Sequence, residues 1–284
     1  MNGAHTKIPR IIHQTWKNRT IPEHWTRSHE GWKGLEGFEY RLWTDEDNRH
    51  LIATKYPWFL DKYDSYKYPI QRADAIRYFI LYECGGVYVD LDIEPKPTAF
   101  LKLFAFYEDE KVVLAKVQNN NDRAGQILTN AFMMSQAKQA YWKYVWDFLE
   151  RPFQKHKWKR FVSDRTYHFE VLFTTGPGII SDSASTFDKK NDIRLIPSDL
   201  MQPGTEKEIE YPFTTNESAV TLLKGRSWNT GDSHMFLNMR DISDSIDYIW
   251  MGMALVFFAT TITFMVFWLK ARHTLKVIRK VKAG

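Results

Sequence analysis

The sequence predicts an α/β fold, a sheet covered by helices, followed by one C-terminal transmembrane helix. Strand-like and helix-like runs alternate along the body, the pattern that builds a helix-covered sheet. A length of 284 residues allows a sizeable core. Residues 249–269 form an unbroken apolar run close to the C-terminus.

Taken in order, residues 8–16 (IPRIIHQTW) read as a first strand, a short apolar run entered through a proline. Residues 40–44 (YRLWT) read as a second, closed by the acidic cluster Asp45, Glu46 and Asp47. Residues 70–83 are helical, because Ile70, Ala73, Ile76 and Ile80 recur at three- and four-residue spacing and Gly85-Gly86 can end the helix. Residues 87–92 alternate as a strand, ended by Pro95 and Pro97. The stretch 127–149 reads as mostly helical, and residues 112–117 and 192–196 as strands. No internal repeat or low-complexity linker interrupts the body.

Composition removes several function classes. Eleven Trp, fourteen Tyr and nineteen Phe exclude a disordered chain. The single cysteine, Cys84, excludes an intramolecular disulfide framework and a cysteine-based zinc site. The formal charge is +5, but six of the basic residues lie beyond Tyr248, with no acidic residue among them. The first 247 residues therefore hold 33 basic against 34 acidic groups, and no nucleic-acid-binding surface is expected.

The run 249–269 has 21 residues, no charge and no proline. As a helix it would span about 31 Å, the thickness of a hydrocarbon core. Trp250 and Trp268 mark its ends, where indoles favour the headgroup region. Asp241, Asp244 and Asp247 precede it and six Lys/Arg follow, so the positive-inside rule puts the tail in the cytosol and the body in a lumen. Sequons at Asn18 and Asn216 fit that side, although about one is expected by chance. Against it, residues 1–20 carry no apolar stretch of signal-peptide length, and a lone C-terminal anchor ordinarily leaves its body in the cytosol. The expectation drawn from the flanks is a body of residues 1–240, a transmembrane helix of residues 249–269 and a basic cytosolic tail of residues 270–284.

The densest chemistry lies in residues 72–94. In a strand over residues 87–92, Val87, Val89 and Leu91 face the core while Tyr88, Asp90 and Asp92 face the other way. Two carboxylates about 6.6–7 Å apart at their Cα atoms repel unless a cation relieves them. Oxygen ligands suit Mn²⁺ or Mg²⁺, completed by phosphate oxygens and water. A bare D-x-D occurs about once by chance in such a chain, so its position at a strand's carboxyl edge is what gives it weight. Arg72 and Asp74 face the same gap if the preceding helix packs there, unless they form a simple surface ion pair. Arg77, three residues from Asp74, is the stronger candidate for a structural partner. His13, taken alone, reads as a packed histidine.

These residues carry a resemblance. IPRIIHQTWK, YRLWTDED, RADAIRYFILYECGGVYVDLD, LTNAFMMS, FTTGPGIIS, IRLIPSDL and GRSWN occur in that order between residues 8 and 229. The chain resembles the D-x-D sugar transferases that include the fungal initiating α-1,6-mannosyltransferase, and within them the inositol-phosphorylceramide mannosyltransferases. The resemblance implies a GT-A fold (a mixed sheet covered by helices), a nucleotide-sugar donor with GDP-mannose preferred, a divalent metal, a lipid acceptor and a Golgi membrane location. It also leaves room for a regulatory membrane subunit. Carried over by position, Asp92 would bind the metal directly and Asp90 through water, beside the ribose. Arg72 and Asp74 would hold the donor sugar, with Asn130 lining its pocket. His13, Gln14 and Trp16 would pass the nucleobase, and Trp228 would close over the diphosphate. Asp90, Asp92 and Asp74 make up the expected catalytic set.

Relatives often carry histidines where this chain has Leu222 and Asn229, so one late phosphate or metal contact is expected to be missing. No residue stands out as a dedicated nucleophile, and retention of configuration would then follow front-face attack assisted by the leaving phosphate. Three functions follow: mannosyl transfer to a sphingolipid headgroup, galactosyl or mannosyl transfer to glycoprotein or other glycolipid acceptors, and a non-catalytic nucleotide-sugar-binding membrane subunit.

Overall fold

The computed structural model describes residues 6–116, 128–152, 167–201 and 218–223. The run 249–269, its flanks and Trp228 lie outside these residues. Among the described residues, no helix is long and apolar enough to cross a membrane.

The elements are β1 (Ile11–Thr15), α1 (Glu23–Lys33), β2 (Glu39–Trp43), α2 (Asp45–Lys55), α3 (Pro57–Asp64), α4 (Pro69–Cys84), β3 (Gly86–Val89), β4 (Ile93–Pro95) and α5 (Pro97–Tyr107). There follow β5 (Val112–Lys116), β6 (Leu128–Ser135), α6 (Ala140–Glu150), α7 (Tyr167–Thr174), α8 (Pro177–Thr186), β7 (Ile193–Ile196), α9 (Ser198–Met201) and β8 (Val220–Leu222). Six strands form one mixed sheet in the order β2-β1-β3-β6-β5-β7. β1 runs parallel to β2 and β3, β6 runs antiparallel to β3 and β5, and β7 is parallel to β5. β4 and β8 pair antiparallel as a separate ribbon. The fold is thus a mixed α/β sheet with helices on both faces.

Strand alternation builds the two cores. Val87 and Val89 of β3, Val113 and Ala115 of β5, and Phe132 and Met134 of β6 pack with Trp32 of α1 and with Phe100, Leu103 and Phe104 of α5. Tyr88, Val112, Leu114 and Met133, on the opposite side, pack with side chains of α2, α3, α4, α6 and α8.

Three expectations are corrected. The stretch 127–149 is not mostly helical: residues 128–135 are strand β6, and the helix begins at Ala140. β6 lies inside the sheet with apolar side chains entering both cores, so its polarity shows no period of two. The acidic cluster Asp45–Asp47 does not merely close β2 but opens α2. Thr44 accepts from the Asp47 amide and the Asp47 carboxylate accepts from the Thr44 amide, a capping box. Finally, β3 stops at Val89. Residues 90–93 form a turn in which the Ile93 amide donates to the Asp90 carbonyl at 3.1 Å. Leu91 is buried but joins neither core.

The glycine pair that ends α4 is demanded by space as well as by conformation. Gly85 and Gly86 have φ of 65° and 91°. A Cβ on Gly85 would stand 2.7 Å from the Ala137 nitrogen, and one on Gly86 would stand 2.5 Å from the Ile11 carbonyl. Both neighbours are backbone and cannot yield, so α4 turns into β3 only through glycine.

Candidate active site

The carboxyl ends of the parallel strands β1, β2 and β3 meet where Asp90 and Asp92 leave the sheet. This is the edge at which α/β folds bind ligands. Asp90 is held from its side chain. Tyr88 donates to its Oδ1 at 2.9 Å, and Thr15 Oγ1 donates in turn to the Tyr88 hydroxyl at 2.8 Å. Arg77 Nη1 lies 3.3 Å from the same carboxylate oxygen. Tyr88 and Asp90 do share a face as the alternation predicts, whereas Asp92 is placed by the turn.

Arg77 is the centre of the buried part of the site. Its Nη2 pairs with Asp74 Oδ1 at 2.8 Å, its Nη1 donates to the Asn130 carbonyl at 2.7 Å, and its guanidinium lies 4.6 Å from the Tyr88 ring centroid. Asn130 Nδ2 donates to Asp74 Oδ1 at 3.0 Å and to the Tyr78 hydroxyl at 3.2 Å. Tyr78 then donates to the Thr175 carbonyl at 2.7 Å, and Thr175 Oγ1 donates to Asp74 Oδ2 at 3.4 Å. Burial pushes the Asp74 pKa up to about 6, with Arg77 opposing and the Asp90 charge adding to the rise. For Arg77 burial works against the charge, but Asp90, Tyr88 and Asp74 outweigh it, so its pKa lies above the ordinary guanidinium value.

Asp74, Asn130 and Asp90 therefore come together, as the sequence grouped them. Arg72 does not join them. Its Nη1 donates to the Tyr66 carbonyl at 2.8 Å and ties the segment between α3 and α4. His13 is fully occupied within the fold. Trp43 Nε1 donates to its Nδ1 at 3.0 Å, so Nε2 carries the proton and donates to the Gly85 carbonyl at 2.9 Å. Burial lowers the His13 pKa to about 4, keeping the ring neutral. Trp16 sits half-buried at the end of β1, edge-on to Trp25, with Nε1 donating to the Thr20 carbonyl.

The turn is also tied at its backbone. The Asp92 carbonyl accepts from the Leu223 amide at 2.7 Å, just beyond β8. The Ile93 carbonyl accepts from Ser28 Oγ at 2.6 Å and Trp32 Nε1 at 2.7 Å. Sequence reasoning missed these anchors, together with Thr175 and the central place of Arg77. Tyr88 was visible through its shared face with Asp90.

Among the described residues, no group of three or more His, Cys, Asp or Glu side chains could enclose a metal ion. Asp90 and Asp92 are half-buried carboxylates on one short turn. An oxygen donor set left for phosphate and water to complete fits a hard divalent cation.

Residues 17–110 match the family described as the glycosyltransferase sugar-binding region containing a DXD motif. Two D-x-D triplets fall within that range, Asp45–Asp47 and Asp90–Asp92, and the second stands at the carboxyl edge of the sheet. The family resemblance read from the sequence holds. The chain is 34% identical to the mannosyl phosphorylinositol ceramide synthase SUR1 of Saccharomyces cerevisiae, over 80% of its own length and 53% of that protein. Against CSH1, a synthase of the same description in that yeast, it is 33% identical over 82% of its length and 56% of the relative. Inositol phosphoceramide mannosyltransferase 3 of Schizosaccharomyces pombe is 59% identical over 87 residues, 30% of this chain and 24% of that protein. The chain spans about half the length of SUR1 and CSH1.

Proposed function

We propose that the protein is a membrane-anchored, metal-dependent, retaining hexosyltransferase of GT-A fold, transferring mannose from GDP-mannose to inositol phosphorylceramide. The observation that carries this reading is the Asp90–Asp92 turn in a chain about one-third identical to SUR1 and CSH1 over four-fifths of its length. Its body would face the Golgi lumen and its basic tail the cytosol. A membrane anchor would present a lipid headgroup to the enzyme at high effective concentration.

Transfer must break a bond between the sugar and a diphosphate. A divalent cation held by Asp92 and Asp90 would supply positive charge to that leaving group. Tyr88 and Arg77 keep the Asp90 carboxylate aimed, and Arg77 keeps Asp74 and Asn130 in place beside it. Asp74 would hold donor-sugar hydroxyls. No side chain is placed as a covalent nucleophile in this scheme, which fits front-face attack.

Membranes containing the protein are expected to transfer label from GDP-mannose into a base-stable lipid fraction when Mn²⁺ is present. Asp92→Ala should abolish this without loss of the folded protein. Label found only in protein, or only from UDP-sugars, would refute the acceptor and donor. Full transfer by Asp92→Ala or in excess chelator would refute the metal role.

A further inference from the structure

We propose that Gln14, Tyr40 and His29 form a hydrogen-bonded chain of positioning residues that fixes the backbone of the Asp90–Asp92 turn for metal and nucleotide binding. The inference rests on the transferase reading above and assigns work to two residues, Tyr40 and His29, outside the expected site.

The chain runs across three elements. His29 of α1 has Nδ1 2.8 Å from the Tyr40 hydroxyl of β2. Tyr40 donates to Gln14 Oε1 at 2.8 Å, and Gln14 Nε2, on β1, donates to the Asp90 carbonyl at 3.4 Å. Gln14 is fully buried, while Tyr40 and His29 are half-buried.

Proton counting gives the chain a direction. A hydroxyl has one proton, so if Tyr40 donates to Gln14, His29 must donate to Tyr40 from Nδ1. The reverse arrangement would turn the Gln14 amide over and set its oxygen against the Asp90 carbonyl, two acceptors face to face. An Nδ1 proton on His29 thus agrees with the amide orientation that ties the turn, while its Nε2 lies 3.4 Å from Glu30 Oε1. Through Gln14 the Asp90 carbonyl gains a second donor beyond the turn's own Ile93 amide, matching the anchors already described on the Asp92 and Ile93 carbonyls. The turn thus keeps its shape before any ligand arrives, and a cation pays less to order it.

The test titrates Mn²⁺ into the full-length protein in detergent with GDP as the probe, reading nucleotide binding by intrinsic tryptophan fluorescence. Tyr40→Phe and Gln14→Met each remove one link. Both should raise the half-saturating Mn²⁺ concentration about tenfold, the usual effect of losing an outer support of a metal ligand. Melting temperature should stay close to that of the unaltered protein in both variants, and the transfer rate at saturating Mn²⁺ should stay close to the unaltered rate in Tyr40→Phe. An unchanged Mn²⁺ midpoint in both variants would overturn the proposal, as would losses that merely follow a fall in melting temperature. Asp92→Ala separates the two readings. If the unaltered protein binds Mn²⁺ and GDP and Asp92→Ala does not, the transferase reading stands whatever Tyr40→Phe does. If the unaltered protein binds neither, both fall.

Discussion

Two Arg–Asp pairs of nearly ideal geometry sit within one helical layer of this protein, in opposite surroundings. Arg77 and Asp74, on α4, meet at 2.8 Å with side chains only 3% and 7% exposed. Arg49 of α2 grips Asp64 of α3 with two bonds, 3.0 and 2.7 Å, but the side chains are 56% and 40% exposed. The contacts look alike and the physics differs. Water already satisfies the outer pair, so its attraction is screened and offset by side-chain ordering. The inner pair has left water, and each charge depends on the other and on Asn130, Thr175 and Tyr88. Distance alone does not say what an ion pair contributes. The inner pair also sits where charge could serve chemistry, beside Asp90.

The largest effect separating the two regions should come from Arg77→Met. It leaves Asp74 buried with its main counter-charge gone, and breaking such a pair typically costs about 3–5 kcal/mol. Chemical denaturation should show that loss. Adding Asp74→Asn should recover much of it, because the neutral amide no longer needs a cation. A double variant as unstable as Arg77→Met would mean that the guanidinium's bonds to Asn130 and Tyr88, rather than the charge pair, hold this region.

The next effect is in pH dependence, where two buried groups pull in opposite senses. His13 has its pKa lowered from 6.5 to about 4. The unfolded chain then binds the extra proton first, so this stability is complete above pH 6.5 and is lost as pH falls towards 4. The buried shift corresponds to roughly 3 kcal/mol. Asp74, raised to about 6, acts the other way: its contribution is complete below about pH 3.8 and is lost as pH rises through 6. In the unaltered protein the two slopes partly cancel between pH 4 and 6. Asp74→Asn should expose the His13 slope, with the melting temperature falling more steeply on acidification. His13→Gln should reverse the sign, the melting temperature rising as pH drops from 6 to 4. Equal slopes in both variants would show that other groups govern this range.

The same contrast explains what the sequence could reveal. Helix α4 and strands β1, β2, β5 and β7 were legible because their apolar spacing or flanking residues are local. β6 was not, since a strand buried on both faces loses its period and LTNAFMMS is rich in helix formers. The grouping of Asp74, Asn130 and Asp90 came through family resemblance, while the Arg77–Asp74 pair followed from simple i,i+3 spacing. The backbone anchors stayed hidden, because an amide such as Leu223 bonding a carbonyl such as Asp92 leaves no side-chain signature. His13 shows the limit from the other side: its place in IPRIIHQTWK suggests a ligand, but Trp43 and Gly85, distant in sequence, claim both ring nitrogens.

The smallest expected effect is at the outer pair, and it is what makes the comparison sharp. Arg49→Ala removes a two-pronged ion pair that a contact survey would rank beside Arg77 and Asp74. Because both side chains are largely exposed, the freed Asp64 carboxylate gains water in place of the guanidinium, and no buried polar atom is left unpaired. The melting temperature should shift little at low salt and not measurably at high salt, where exposed charges are screened. Mn²⁺ and GDP binding should be untouched, since α2 and α3 tie to the Asp90–Asp92 turn through neither of these groups. A loss comparable to that of Arg77→Met, persisting in high salt, would mean that the packing of α2 on α3 depends on this contact. Burial would then not be the variable that divides the two pairs.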